Sequence, residues 1–275
     1  MKLAIDSRVD LSHGGRIPVF GLGVYQTGPG KGTVNAVTWA LEAGYRHIDT
    51  AALYANEREV GEAIRASGVP RDQLFVTTKL WNSDHGYERA LKAFDESIGR
   101  LGLEYVDLYL IHWPVEGLRH DSWRALEQIL EDGRTKAIGV SNYTVTHLGE
   151  LLERCKTPPA VNQLEFHPFL YQLELLEYCR SHDIRLEAYS PLTKGLKLGD
   201  ERLVSMAEKH GRSVAQIMIR WALQHDLVVI PKSANKARIE ENAAVFDIEL
   251  SGDDMLRLDG FNENLHITWD PTDAP

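Results

Sequence analysis

Short apolar, β-rich runs recur along the chain at 19–21, 46–49, 74–79, 106–112, 136–140, 160–163, 185–189 and 228–230. Most are too short for helices, and each reads as a strand. Longer stretches with a 3.6-residue period separate them. Leu148, Leu151, Leu152 and Cys155 form one apolar stripe, and Val214, Ile217, Met218, Trp221 and Ala222 form another. Ser213 followed by Gln216, and Ser251 followed by Asp254, fit capping boxes. Gly44 after Leu41-Glu42-Ala43 supplies a helix stop. Eight strand–helix units with no break in composition predict one α/β domain over residues 1–275, a closed (β/α)8 barrel. An open doubly wound sheet is the competing architecture, but it leaves the eighth strand without a place. Residues 1–18 read as an N-terminal β-hairpin around His13-Gly14-Gly15, and 262–275 as a polar tail, where alone disorder is expected.

In such a barrel, chemistry sits at the C-terminal ends of the strands. Asp49 closes the second predicted strand and Tyr54 follows it. Lys79 closes the third and His112 the fourth. Ser141-Asn142 follow the fifth, Gln163 closes the sixth, Tyr189-Ser190 the seventh, and Lys232-Ser233 follow the eighth. Taken singly, Asp49 also fits a helix cap, His112 a core histidine, and Tyr54 a plain loop tyrosine. Lys79 is different, because an amine ending a β-rich strand needs an anion or open water. Asp49 would be that anion.

Together the four form a device for reducing a carbonyl. Hydride addition needs a proton on the developing alkoxide, and a free tyrosine is a reluctant donor with a pKa of about 10. Lys79 is expected to lower that pKa, with Asp49 holding the lysine. His112 would hydrogen-bond the carbonyl oxygen. Tyr189 offers a ring to a nicotinamide, while Ser141, Asn142 and Gln163 offer partners to its carboxamide. Lys232, Ser233 and Arg238 would suit a 2′-phosphate, although a solvated basic stretch is the plain alternative.

Composition narrows the partners. The 275 residues carry 30 basic and 40 acidic side chains, a formal charge of −10, which disfavours nucleic acid. No run approaches the roughly 18 apolar residues of a membrane span, and the N-terminus has no apolar signal core. Two isolated cysteines, Cys155 and Cys179, read as reduced thiols, so a cytoplasmic protein is expected. No His-Glu-x-x-His or zinc spacing occurs, and no metal is expected. Gly28–Thr33 lacks the phosphate-loop spacing, and Gln26 stands where the dinucleotide fingerprint begun by Gly21-Leu22-Gly23 needs glycine.

From Phe20-Gly21-Leu22-Gly23 to Phe246 the chain resembles the aldo-keto reductase family. Gly44-Tyr45-Arg46-His47-Ile48-Asp49-Thr50-Ala51 with Tyr54, Thr78-Lys79-Leu80-Trp81, and Asp107–Pro114 around His112 look like its catalytic segments. Gly139-Val140-Ser141-Asn142 and Asn162-Gln163 resemble its carboxamide contacts. Tyr189-Ser190-Pro191-Leu192 resembles its stacking residue and pyrophosphate-side loop. Lys232-Ser233 with Arg238, Glu241 and Asn242 resembles its 2′-phosphate clamp, which implies NADPH/NADP+ as cofactor.

The same resemblance implies a substrate wall of Val24, Tyr25, Trp81 and Trp113, and a small-molecule carbonyl as partner to a monomer. Thr193 departs from the glycine common in the family. The short tail after Phe261 implies an open pocket, like that of small bacterial reductases acting on diketo-gluconate, methylglyoxal and assorted aldehydes. Two other readings stay open: a Schiff-base lyase using Lys79, and a non-catalytic nucleotide sensor or interaction subunit.

Overall fold

The computed structural model describes residues 3–28 and 30–273. Positions 1–2 of the expected hairpin segment, Pro29 of the glycine-rich stretch and positions 274–275 of the expected tail lie outside them. Strands β1 (Arg8–Asp10) and β2 (Arg16–Pro18) form the antiparallel hairpin. Eight parallel strands follow: β3 (Leu22–Gly23), β4 (His47–Asp49), β5 (Phe75–Leu80), β6 (Leu108–Ile111), β7 (Ile138–Ser141), β8 (Val161–Glu165), β9 (Arg185–Tyr189) and β10 (Val228–Val229).

The sheet closes on itself. Phe20 bridges Val229 and Gly23 bridges Lys232, both in parallel. Gly21 N–H donates to Val229 O at 2.9 Å, and Val229 N–H to Val19 O at 3.0 Å. The first strand was expected at 19–21. Those residues instead make the closing contacts, and the regular ladder begins at Leu22. The sixth strand was expected to end at Gln163, but it runs on to Glu165.

Helices α1 (Lys31–Glu42), α2 (Glu57–Ala66), α3 (Tyr87–Leu101), α4 (Arg119–Glu131), α5 (Val145–Leu152), α6 (Leu173–Ser181), α7 (Glu201–His210), α8 (Val214–Gln224), α9 (Lys236–Ala243) and α10 (Gly252–Asp259) complete the described fold. The boxes at Ser213/Gln216 and Ser251/Asp254 start α8 and α10, and Thr144/His147 makes another at α5. None of the described helices is long and apolar enough to cross a membrane.

Parallel strands are buried on both faces, which explains the near-continuous apolar runs. In β6, Tyr109 and Ile111 belong to the layer between sheet and helices, while Leu108 and Leu110 point into the barrel. Leu108 and Leu110 pack with Phe75, Val161 and Val228, and the hairpin adds Leu11 and Ile17 to that cluster. The apolar floor leaves the opposite end for polar side chains.

The expected disordered tail is ordered through residue 273. Glu263 and Leu265 N–H donate to Phe169 O at 3.1 and 2.9 Å. The segment is polar because it trades hydrogen bonds with loops at the barrel mouth.

Helix α2 meets α3 at Gly61, where an added Cβ would overlap the Leu101 carbonyl oxygen. Helix propensity alone favours alanine over glycine by about 1 kcal/mol. Overpacking against backbone costs about 1–3 kcal/mol. Gly61→Ala is therefore expected to lower the thermal midpoint by several degrees, and calorimetry against wild type checks the sign.

Candidate active site

Strand register gathers the polar residues. Asp49 lies opposite Thr77, Ser141 opposite Gln163, and Gln163 opposite Glu187. Lys79 is wholly buried, and its amine has three acceptors: Asp49 Oδ1 at 2.6 Å, Thr50 O at 3.0 Å and Tyr54 Oη at 3.3 Å. An ammonium has three N–H groups, so this set is complete. Asp49 is thus an ion-pair partner and not a helix cap. Its other oxygen accepts from Gln163 Nε2 at 2.8 Å.

The same Gln163 nitrogen donates to Glu187 Oε2 at 2.9 Å. Two carboxyl groups therefore share one amide beside a single cation. Burial raises the Glu187 carboxyl above its ordinary value, and the neighbouring Asp49 charge raises it further. Burial raises Asp49 too, but the Lys79 amine at 2.6 Å favours its charged form, which leaves Glu187 the acid that keeps its proton. Its Oε1 faces His47 Nε2 at 3.5 Å, and burial with the nearby Lys79 charge lowers His47 to about 3.

Glu187 and His47 escaped prediction as site residues because Glu187 sits in mid-strand and His47 begins its strand, so neither is at a C-terminal end. The meeting of Asp49 on β4 with a second carboxylate on β9 is invisible to spacing, since only closure of the barrel brings the two together.

Tyr54 stands on a short 3₁₀ turn, Ala52–Tyr54, after β4. Its ring tilts against Tyr25 at 4.9 Å and meets His112 edge-on at 5.6 Å. Lys79 was expected to lower the phenol's pKa. Instead burial raises it well above 10, with Asp49 and other neighbouring acids adding to the rise. The lysine charge is spent largely on Asp49, so desolvation wins and the hydroxyl keeps its proton.

Burial, and secondarily Lys79, holds His112 well below 6.5, making it a neutral imidazole. Its Nδ1 is buried without a partner. Burying an unpaired N–H there would cost more than a bare lone pair, so the proton belongs on Nε2.

Ser141 Oγ donates to Gln163 O at 2.8 Å, and Asn142 Nδ2 to His112 O at 2.9 Å. Tyr189 Oη donates to Asn142 Oδ1 at 2.7 Å. These groups orient one another, and the doubly bound Gln163 nitrogen leaves its amide oxygen for a carboxamide N–H. Ser190, Thr193 and Lys194 all have positive φ, at 49°, 52° and 49°. Leu192 lies between them, half-buried.

At the β10 end Ser233 and Asn242 are buried, while Lys232, Arg238 and Glu241 are exposed. Lys232 and Arg238 have no ion-pair partner among the described residues. Two unpaired cations, a flat phenol ring and a carboxamide partner fit NADPH along this edge.

Tyr25, Trp81 and Trp113 present surface at the mouth, Trp81 meeting His112 edge-on at 5.2 Å. Val24 differs from its expected role in the wall, because its side chain has no exposed surface. Trp269, from the tail, tilts against Trp113 at 4.8 Å. The expected open side is thus partly walled. Among the described residues no three His, Cys, Asp or Glu side chains group to hold a metal.

A strand-end lysine–carboxylate–tyrosine–histidine set with an anion-binding edge defines a nicotinamide-dependent carbonyl reductase. The sequence model of the Aldo/keto reductase family matches residues 21–263, and the chain belongs to that family. It is 51% identical to the 9,11-endoperoxide prostaglandin H2 reductase of Trypanosoma cruzi, over 96% of this chain and 94% of that one. It is 50% identical to the glyoxal reductase of Bacillus subtilis, over 98% of each. The Bombyx mori aldo-keto reductase, solved in complex with NADP, superposes with a TM-score of 0.91 at 35% identity, over 98% of this chain and 97% of that one. The protein is an NADPH-dependent oxidoreductase that reduces carbonyl groups by hydride transfer.

The neutral His112 makes a pH prediction. Its folded pKa is depressed below 6.5, so its contribution to stability is complete above pH 6.5 and declines as pH falls below it. Replacing it by asparagine removes that decline at this position. The unfolding free energy of His112→Asn relative to wild type should therefore rise by about 1.4 kcal/mol per pH unit below 6.5. Urea titrations at several pH values measure it.

Proposed function

We propose that this protein reduces small aldehydes, α-dicarbonyls or keto-sugars, as a cytoplasmic monomer. The observation that carries the reading is the convergence of Tyr54, Lys79 and His112 beneath a mouth flanked by Tyr25, Trp81 and Trp113. The similarity to the glyoxal reductase of Bacillus subtilis, 50% identical over 98% of each chain, supports small dicarbonyl substrates. The free thiols Cys155 and Cys179 fit a reducing compartment.

NADPH, when bound, supplies the hydride. The substrate oxygen is taken between the Tyr54 hydroxyl and the His112 Nε2–H, and Tyr54 gives up its proton as the alkoxide forms. The elevated phenol pKa keeps that proton in place until so strong a base is present. Lys79 then stabilises the phenolate across 3.3 Å. Gln163, Ser141, Asn142 and Tyr189 would orient the nicotinamide end, and Ser190 with Leu192 would line the pyrophosphate side. Lys232, Ser233, Arg238, Glu241 and Asn242 would hold the adenosine end.

The Schiff-base alternative is disfavoured by the geometry. A lysine whose three N–H groups all face acceptors has no free lone pair for attack.

Tyr54→Phe is expected to bind NADPH normally and to lose about 10²–10⁴-fold in turnover, the usual worth of a general acid. Loss of nicotinamide absorbance with a panel of aldehydes, α-dicarbonyls and keto-sugars measures this, and equal turnover in both proteins would remove Tyr54 from the mechanism. Arg238→Ala should weaken NADPH about tenfold or more while leaving NADH nearly unchanged, because only NADPH carries the phosphate. Fluorescence titration with both nucleotides gives the comparison.

A further inference from the structure

Glu165 ends β8 and is almost wholly buried, yet nothing in the proton-transfer scheme uses it. Its carboxyl group accepts from Ile267 N–H at 2.8 Å, Thr268 N–H at 3.0 Å and the Thr268 hydroxyl, and it faces His167 Nε2 at 3.0 Å. Three of these four partners come from the tail, about a hundred residues away in sequence. The Thr268 hydroxyl also meets Tyr189 Oη at 3.0 Å, and Tyr189 in turn reaches Asn142. The next residue is Trp269, the indole packed on Trp113.

We propose that Glu165 is a positioning residue: it fastens residues 267–268 to the barrel rim so that Trp269 extends the substrate wall beside Trp113. The contact of Thr268 with Tyr189 sets that wall against the nicotinamide platform. Charge-assisted hydrogen bonds to a buried carboxylate are about twice as strong as neutral ones, which suits an anchor for a segment with few apolar contacts. Two further tethers support the strap from the loop after β9. Lys194 Nζ donates to Ile267 O at 3.2 Å, and Glu263 holds Lys197 at 2.7 Å and Arg202 at 2.6 Å. Those tethers are exposed: the Glu263 pair fixes the root of the tail, and Lys194 adds a solvent-facing contact at Ile267. Glu165 is the buried partner, and it takes both backbone N–H groups of the two residues that precede the indole.

The inference rests on Trp113 facing substrate, so its test has one arm that needs no substrate. Hydrogen exchange of the tail amides is measured in the free protein for wild type, Glu165→Gln, Thr268→Val and Thr268→Ser. Glu165→Gln and Thr268→Val should speed exchange at 267–269 about tenfold or more, with Thr268→Ser close to wild type.

In the kinetic arm, Glu165→Gln should raise KM for a bulky aryl aldehyde about tenfold, as Trp269→Ala does, with kcat and the KM for a two-carbon aldehyde unchanged within about twofold. The double variant should be no worse than either single one, because both remove the same wall. Unchanged exchange in Glu165→Gln and Thr268→Val would overturn the anchor. Additive KM effects in the double variant, or an equal rise for small and bulky substrates, would overturn the link to the wall. Faster exchange with additive kinetics leaves carbonyl reduction itself intact while refuting the proposal.

Discussion

The buried ion pair of Lys79 and Asp49 is the constraint around which the site is arranged. Taking two charges out of water costs several kcal/mol per ion, and the pair survives only because every polar valence is met. Thr50 O and Tyr54 Oη complete the ammonium, and Gln163 completes the carboxylate. Each of these debts fixes another residue. Gln163 must turn its nitrogen inward, which leaves its oxygen for the cofactor side. Tyr54 must bring its hydroxyl down to the amine, which places the proton donor at the centre of the mouth.

The pair also sets the charge of everything near it. With one cation matched to one carboxylate, a second ionised carboxylate at Glu187 would have no counter-charge, so burial and Asp49 together keep it protonated. His47 and His112 stay neutral for the mirrored reason, since burial and the nearby lysine both oppose a further positive charge. The resulting site carries hydrogen-bond donors without excess charge. A tyrosine in such surroundings is a firmly held acid that yields its proton only to a strong base, and a neutral imidazole is the matching partner for a carbonyl oxygen. The expected lowering of the Tyr54 pKa by Lys79 is outweighed by burial, because that expectation counted charge and omitted desolvation.

The sequence made the barrel legible because strand and helix periods alternate cleanly and because Lys79 is hard to place anywhere except beside an anion. Residues with one polar group at a strand end were readable for the same reason. Glu187, Glu165 and His47 were not. In an alternating pattern such as Arg185-Leu186-Glu187-Ala188-Tyr189, a polar side chain reads as solvent-facing, whereas here the alternate positions face a closed interior. The tail misled for a related reason. Its polar composition signals disorder when a segment stands alone, but Thr268 and the Ile267 amide were donors waiting for a buried carboxylate that only the folded barrel supplies. Trp269 was present in the sequence and had no visible partner until the tail was seen to return across Trp113.

The loop after β9 shows what that return does for the cofactor side. Ser190, Thr193 and Lys194 all sit in the left-handed region, at a cost of about 1–2 kcal/mol for each non-glycine residue. Thr193, where the family commonly has glycine, recovers part of it by bonding Leu192 O at 2.8 Å and accepting from Lys197 N–H at 3.1 Å. Such strain persists only where the surroundings over-determine the backbone. Here the surroundings include the tail, through Lys194 to Ile267 and Lys197 to Glu263. The strained loop and the aromatic wall therefore hold each other: the loop gives the tail its outer tethers, and the tail keeps the loop in a conformation it would otherwise leave. A short tail on this fold is then no sign of an open mouth, because position along the chain matters less than the anchors it reaches.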